Sequence, residues 1–130
     1  MFNFEKLAVW RKCIDFADLI YRPTQVFPAE ERFGITNQMR RAAVSISSNV
    51  AEGTSRSSKA DYSRFVGLPA GSLFEVVSQA HIAVRRAYLS HENFQSMHAS
   101  AEELSRMLSG LNSYLGRIEM ADHSTLNSQL

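Results

Sequence analysis

The sequence has few of the residues that build cross-linked or turn-rich folds. Its 130 residues include 3 prolines, 6 glycines and 1 cysteine. A lone cysteine cannot form a disulfide within the chain, and so few turn-forming residues favour long helices over many short strands. No apolar run reaches the roughly 18 residues that a membrane-spanning helix needs, and the first residues lack the layout of a secretion signal. These absences predict a soluble, cytoplasmic protein with no membrane contact.

The chain also lacks a large excess of either charge, since its formal net charge is +1. A value so close to zero does not by itself indicate a nucleic-acid partner. The distribution is uneven, however. Residues 1–86 carry 12 Lys and Arg against 8 Asp and Glu, whereas residues 87–130 carry 2 against 5. Two hypotheses fit this asymmetry: oppositely charged faces that help subunits to pack, or a surface that binds anions.

Four segments show the three- and four-residue spacing of apolar side chains that is typical of amphipathic helices. They are predicted at residues 5–21, 36–52, 58–88 and 91–121, with a kink where Pro69 interrupts the third. The last has the most regular seam, formed by Phe94, Met97, Ala101, Leu104, Leu108, Leu111, Leu115 and Ile118. Four such helices with short connections predict an all-α fold, an antiparallel up-down four-helix bundle. Residues 1–121 would form this single domain, and residues 122–130, which have no pattern, a disordered tail.

The predicted first helix has more apolar side chains than one packed neighbour can cover. One set recurs at helical spacing and is predicted to face the core: Leu7, Trp10, Ile14, Ala17 and Tyr21, with Cys13 and Ile20 widening the stripe. A second set, Val9, Phe16 and Leu19, continues the apolar arc around the helix. We therefore predict that the second set forms an interface between subunits of a homo-oligomer.

Residues that commonly carry catalysis or bind metals do not form a recognisable motif. His91 and His98, the closest pair of histidines in the sequence, would lie about 10 Å apart along a helix, too far to share one metal ion. Cys13 lies among apolar residues, which predicts a structural thiol. Gly53 begins a Gly-Thr-Ser-Arg stretch that lacks the spacing of a phosphate-binding loop. The sequence therefore predicts a protein that is not an enzyme and has no metal or cofactor.

A polar stripe runs beside the apolar face of the second predicted helix. It consists of Gln38, Arg41, Ser45, Asn49 and Glu52. Because the stripe covers an arc of about 100°, we expect its side chains to be partly buried and bonded to one another. Arg41 would pair with Glu52 or with Glu75 of the next helix, whereas Arg40, on another face, would contribute little to stability. The alternative is that Arg41 and the small polar groups bind an anion.

Several stretches of the chain resemble the four-helix-bundle family of 23S rRNA-intervening-sequence proteins. The most specific runs from Gln38 to Gly53 and reads Gln-x-x-Arg-Ala-x-x-Ser-Ile-x-x-Asn-x-Ala-Glu-Gly. The others are residues 7–10, Tyr21 with residues 27–31, and residues 71–75, so the resemblance covers about residues 4–118. Pro69 departs from the family pattern, which usually has a small residue there.

The resemblance implies a left-handed up-down bundle that assembles into a ring-like homopentamer and has no enzymatic activity. Family members are encoded within intervening sequences of ribosomal RNA genes or stand alone. A similar group, the accessory variability determinants of diversity-generating retroelements, binds nucleic acid and a reverse transcriptase. The resemblance thus implies an oligomer associated with RNA or DNA, or alternatively a scaffold that binds a protein such as a reverse transcriptase and binds no nucleic acid itself.

Positive charge is concentrated in residues 32–64, where six Arg and Lys are opposed only by Glu52 and Asp61. Four of the six are predicted to contact the phosphates of RNA or DNA without reading their sequence: Arg40, Arg56, Lys59 and Arg64. No arrangement typical of a recognition helix accompanies them.

Overall fold

A computed structural model describes residues 1–55 and 67–129, with side chains as far as Ser113 except that of Asn112. Four α-helices lie in these ranges: α1 (Ala8–Thr24), α2 (Ile35–Ser55), α3 (Leu68–Arg85) and α4 (His91–Gln129). Short 3-10 turns occur at Asn3–Lys6 and Ala29–Glu31, and the described residues include no strand. The predicted all-α fold with four helices is confirmed.

Each helix packs against two others, in the cyclic order α1, α2, α3, α4 and back to α1. Their buried stripes meet in one core, whose largest fully buried side chains are Phe16, Ile20, Met39, Ile46, Val50, Leu73, Val76, Leu104 and Leu108. The predicted seam of α4 is confirmed by the burial of Met97, Ala101, Leu104 and Leu108, while Leu115 and Ile118 lie beyond the described side chains. Removal of these side chains from water is the main contribution to the stability of the bundle.

The core face of α1 is rotated from the one that the sequence predicts. Cys13 and Ile20, which widen the predicted stripe, are each 0% exposed, and Leu7, Trp10 and Ala17 are partly buried against the core. Phe16 of the second set is 1% exposed, however, whereas Ile14 and Tyr21 of the predicted core stripe are 42% and 39% exposed. The two stripes lie about 100° apart on the helix, and both have helical spacing. Spacing alone therefore does not show which stripe the other helices cover.

This rotation of α1 changes the predicted subunit interface. Val9 and Phe16 are buried inside a single chain, and Leu19 is half-buried against the same core. The prediction that Val9 and Phe16 form an interface is wrong, because their apolar surface is already covered by the other helices.

Helix boundaries also differ from those predicted. Pro69 occupies the first turn of α3, where its missing N–H would have had no partner within the helix. Residues 58–66, predicted as the first part of this helix, lie outside the described residues. Pro23 lies within the last turn of α1, and α2 continues past Gly53 to Ser55. Helix α4 continues to Gln129, so it includes residues 122–129 of the predicted disordered tail.

The turn that joins α3 to α4 contains a strained residue. The N–H of Tyr88 donates to the carbonyl oxygen of Ala83, and the N–H of Ala87 to that of Val84, each at 2.9 Å. This is a Schellman motif, in which the residue after the helix cap adopts a left-handed conformation that glycine usually provides. Here the residue is Ala87, with φ at 61°. Its Cβ makes this conformation unfavourable.

Replacing Ala87 with glycine is expected to raise the free energy of unfolding by about 0.5–1 kcal/mol, because glycine adopts this φ without strain. Ala99→Gly is the matched control, since Ala99 is exposed in the middle of α4 and glycine there costs about 1 kcal/mol. Chemical denaturation should shift the two variants in opposite directions. Destabilisation by Ala87→Gly would contradict the assignment of strain to this turn.

Candidate interaction surfaces

Arg40 fastens the C-terminal end of α1 to α2. Its Nε donates to Thr24 Oγ1 at 2.9 Å, and its Nη2 donates to the carbonyl oxygen of Tyr21 at 3.2 Å. The guanidinium also lies over the Tyr21 ring, 4.6 Å from the centroid. Thr24 is buried, and its hydroxyl donates to the carbonyl oxygen of Ile20 at 2.8 Å. Two of the five N–H donors of Arg40 thus bond within the fold, which gives this residue a structural role.

Arg41, by contrast, is exposed, and within the described part of the chain it makes no hydrogen bond or ion pair. The predicted pairing of Arg41 with Glu52 or Glu75 is wrong. At 100° per residue, Arg41 lies at the outer edge of the stripe, while Ser45 and Asn49 lie nearer to α3. The roles predicted for the two arginines are therefore reversed: Arg40 is bonded inside the bundle, and Arg41 faces solvent.

The other part of the polar stripe forms hydrogen bonds where α2 meets α3. The Oγ atoms of Ser45 and Ser72 share a hydrogen bond and lie 2.6 Å apart. The Gln79 amide nitrogen donates to Gln38 Oε1 at 3.4 Å and to Glu75 Oε1 at 3.3 Å. Gln79 is buried, and its own Oε1 has no partner among the described residues. Three predicted network residues, Gln38, Ser45 and Glu75, are thus joined by two that the sequence interpretation missed.

The signal for Gln79 was present in the sequence. It is a polar residue within the stripe of α3 that includes Val76, Ala80 and Ala83, all of which are buried. A polar side chain on such a face needs a hydrogen-bonding partner, which Gln38 and Glu75 supply. Asn49, one turn beyond Ser45, is half-buried, and Glu52 is exposed further along α2.

An apolar strip is exposed on the outer side of the α1–α2 pair. Ile14 and Val44 are each 42% exposed, and Tyr21 is 39% exposed. The contact of Arg40 with Tyr21 sets the antiparallel register. Val44, one turn further along α2, is therefore level with the part of α1 between Tyr21 and Ile14. We call Ile14, Tyr21 and Val44 the α1–α2 strip. The predicted apolar excess of α1 is therefore real, but it belongs to side chains that were assigned to the core.

The chain between α2 and α3, which we call the basic segment, begins at the end of the bundle where α2 terminates. The chain leaves α2 at Ser55 and enters α3 after Gly67. Three predicted nucleic-acid contacts, Arg56, Lys59 and Arg64, belong to the segment between these points and lie outside the described residues. Lys6 and Arg11, both exposed, add positive charge at the same end.

Aromatic rings lie in a row at this end of the bundle. The rings of Phe2 and Phe4 are stacked, with centroids 6.0 Å apart and planes inclined by 8°. Phe4 meets the ring of Trp10 edge to face, with centroids 5.0 Å apart. A cavity of about 390 Å³ lies beside the two phenylalanines and the last turn of α2, lined by Phe2, Asn3, Phe4, Ala51, Glu52, Thr54 and Ser55.

Cys13 is a core thiol, as predicted. It is fully buried, and burial raises its pKa to about 12, so the thiol is protonated and unreactive at neutral pH. In the ranges that the structure describes, no three His, Cys, Asp or Glu side chains lie close enough to hold a metal ion. None of the described helices combines the length and apolar character needed to cross a membrane.

Comparison with known proteins agrees with the fold and the motif. Residues 5–110 match the family of 23S rRNA-intervening sequence proteins. The chain belongs to this family. The signature stretch from Gln38 to Gly53 lies on α2, where Gln38 and Ser45 form hydrogen bonds with α3.

A solved structure of related fold is also similar to the chain. It is the crystal structure of a protein of unknown function from the S23 ribosomal protein family of Bacteroides thetaiotaomicron. The TM-score is 0.72 and the sequence identity 22%, over 81% of this chain and 95% of that chain, which shows a shared fold. No curated protein matches the sequence of this chain.

Arg40→Ala is expected to lower the free energy of unfolding by about 1–2 kcal/mol, because it removes two hydrogen bonds and the contact with the Tyr21 ring. The neighbouring variant Arg41→Ala serves as the control and should stay within about 0.5 kcal/mol of the wild type, since that side chain is exposed. Urea denaturation followed by the fluorescence of Trp10 measures both. A larger loss for Arg41→Ala would show that the assignment of the two arginines is mistaken.

Proposed function

We propose that the protein is a non-enzymatic homo-oligomer of the cytoplasm, with five subunits the favoured number, that associates with RNA or DNA through weak electrostatic contacts. The observation that carries this proposal is the positive charge of the basic segment, which follows the last residue of α2 and carries Arg56, Lys59 and Arg64. Lys6 and Arg11, both exposed, lie at the end of the bundle where α2 terminates. The family name, which refers to an intervening sequence of 23S rRNA, supports RNA as the partner.

Assembly is supported by apolar surface on two different sides of the subunit. The α1–α2 strip is one, and α3 exposes a second patch through Phe74, 65% exposed, and Ile82, 52% exposed. Burial of such side chains against a neighbour stabilises an oligomer. Two different patches favour head-to-tail contacts, which form a ring if the rotation between subunits closes.

A ring would strengthen the association with nucleic acid. One subunit offers few positive charges, and each phosphate contact is weak at physiological salt. A ring repeats the charged end once per subunit, so that several contacts form on one strand or duplex and their effects combine. Arg41 is exposed but lies nearer the opposite end of α2, and the side chain of Arg40 is bonded to α1, so neither adds to the charged end.

The alternative function is a scaffold that binds a protein partner, such as a reverse transcriptase, and has no affinity of its own for nucleic acid. The exposed Phe74 and Ile82 favour it, because large aromatic and aliphatic side chains are common in protein interfaces. The net charge of +1 also favours it. Binding assays with nucleic acid separate the two functions.

Light scattering after size exclusion is expected to give a mass several times 14.6 kDa for the wild type. Val44→Asp and Ile14→Asp should each lower that mass, because a carboxylate would be buried in the subunit contact. Ala99→Asp, on the exposed face of α4, is the control and should leave the mass unchanged. A monomeric wild type at micromolar concentration would contradict the proposed assembly.

Phe16→Asp is expected to act on the fold of the subunit and not on the contact between subunits. Because Phe16 is 1% exposed, a charge there should unfold the bundle itself, which circular dichroism would detect. A folded but dissociated Phe16→Asp variant would restore the interface first predicted from the sequence.

Affinity for an unrelated DNA or RNA duplex is expected to fall roughly 40-fold between 50 and 200 mM salt, if each complex forms about three phosphate contacts. Joint replacement of Lys59 and Arg64 by alanine should lower both the affinity and its dependence on salt. A salt titration of the two proteins by fluorescence anisotropy measures both quantities. Absence of binding to every probe at about 50 mM salt would reject the association and favour the protein scaffold.

A further inference from the structure

Phe2 is a large apolar side chain held in an exposed position at the end of the bundle where α2 terminates. It is 73% exposed. Its N–H donates to Glu5 Oε1 at 2.8 Å, and the N–H of Glu5 donates to the Phe2 carbonyl oxygen at 3.1 Å. Arg11 Nε donates to the carbonyl oxygen of Glu5 at 3.2 Å, which ties the turn to α1. An ordered backbone thus presents the ring to solvent, so little conformational entropy would be lost when a ligand stacks on it.

The surroundings of the Phe2 ring combine flat apolar surface with hydrogen-bonding groups. Phe4 lies parallel to it, and both rings border the cavity of about 390 Å³, a volume within the range of small-ligand sites. Thr54 Oγ1 and Ser55 Oγ donate to backbone carbonyl oxygens, at 2.9 and 2.8 Å. Their lone pairs can therefore accept hydrogen bonds from a ligand, as can the oxygen of the Asn3 amide.

We propose that Phe2 and Phe4 form a stacking site for an unpaired base of single-stranded RNA or DNA. Every base has a flat π-face, so an aromatic ring binds unpaired bases with little regard to sequence. Asn3, Thr54 and Ser55 line the cavity, and their acceptor groups suit the amino and imino groups on the edge of a base.

Charge supports a nucleic acid over an apolar peptide as the occupant. The exposed Lys6 follows the two rings in the chain, and the exposed Arg11 bonds to the same turn. Glu52 also lines the cavity, so a strand whose base stacks on Phe2 would hold its phosphates outside the cavity, towards Lys6 and Arg11. The inference rests on the proposed association with nucleic acid, and it specifies single strands as the preferred form.

The test compares Phe2→Leu with the wild type by fluorescence anisotropy, with labelled single strands of RNA and of DNA about 15 nucleotides long. Leucine keeps the side chain apolar but removes the ring, so the affinity should fall about 5-fold or more. The dependence on salt should not change, because no charge is removed. Phe2→Trp should restore the affinity, since it restores an aromatic face.

Two controls separate stacking from other effects. Phe33→Leu also removes a highly exposed ring, 81% exposed, but from the connector at the opposite end of the bundle. This variant should leave the affinity unchanged. A strand of the same length built from abasic nucleotides offers phosphates without bases. Wild type and Phe2→Leu should bind the abasic strand equally well.

The possible outcomes are distinct. Equal affinity of wild type and Phe2→Leu for the strands with bases would overturn the stacking site, yet leave the proposed association intact. A lower mass of Phe2→Leu in light scattering would overturn it as well, because Phe2 would then be a subunit contact. If the wild type binds none of the strands or duplexes, the association itself fails. A loss confined to RNA or shared with DNA supports the site and identifies which nucleic acid it takes.

Discussion

The rotation of α1 about its own axis determines what the rest of this bundle exposes. The helix has two apolar stripes about 100° apart, and its neighbours cover one of them fully. Burial of Cys13, Phe16 and Ile20 turns Ile14 and Tyr21 outward. The surface available for assembly is therefore a consequence of core packing, since the same helix turned by one stripe would offer Val9 and Phe16 to a neighbour.

The contact between α1 and α2 then sets the roles of two adjacent arginines. Arg40 lies against the C-terminal end of α1, where Thr24 and the Tyr21 carbonyl accept its hydrogen bonds. One residue later along α2 corresponds to a turn of 100°, which takes Arg41 into solvent. On the opposite side of α2, Ser45 meets Ser72 of α3. Because both side chains are small, the two helices approach closely enough for a direct hydrogen bond between the hydroxyls. The family signature on α2 thus contributes to the packing of α2 against α3.

The N-terminal turn gives one end of the bundle a distinct character. It places the stacked rings of Phe2 and Phe4 beside the last turn of α2, after which the sequence continues into the basic segment. At the other end, the connector and the α3–α4 turn bring Glu30 and Glu31 near Arg86. In a ring with parallel subunits, the ends that carry the two rings would lie on one face, so a nucleic acid would meet one side of the assembly. The exposed residues of α3 would remain for subunit contacts or for a protein partner.

Much of the fold was determined by the sequence alone. Apolar spacing specified four helices and the buried seam of α4, because a strict alternation of three- and four-residue steps has one consistent packing face. The lone Cys13 among apolar residues indicated a core thiol for the same local reason. The signature from Gln38 to Gly53 identified the family. What depended on the packing of the helices was the choice between the two stripes of α1, the exchange of roles between Arg40 and Arg41, and the partnership of Gln79 with Gln38. Those features follow from which helix lies beside which and at what rotation, and such long-range geometry leaves no periodic trace in a single helix.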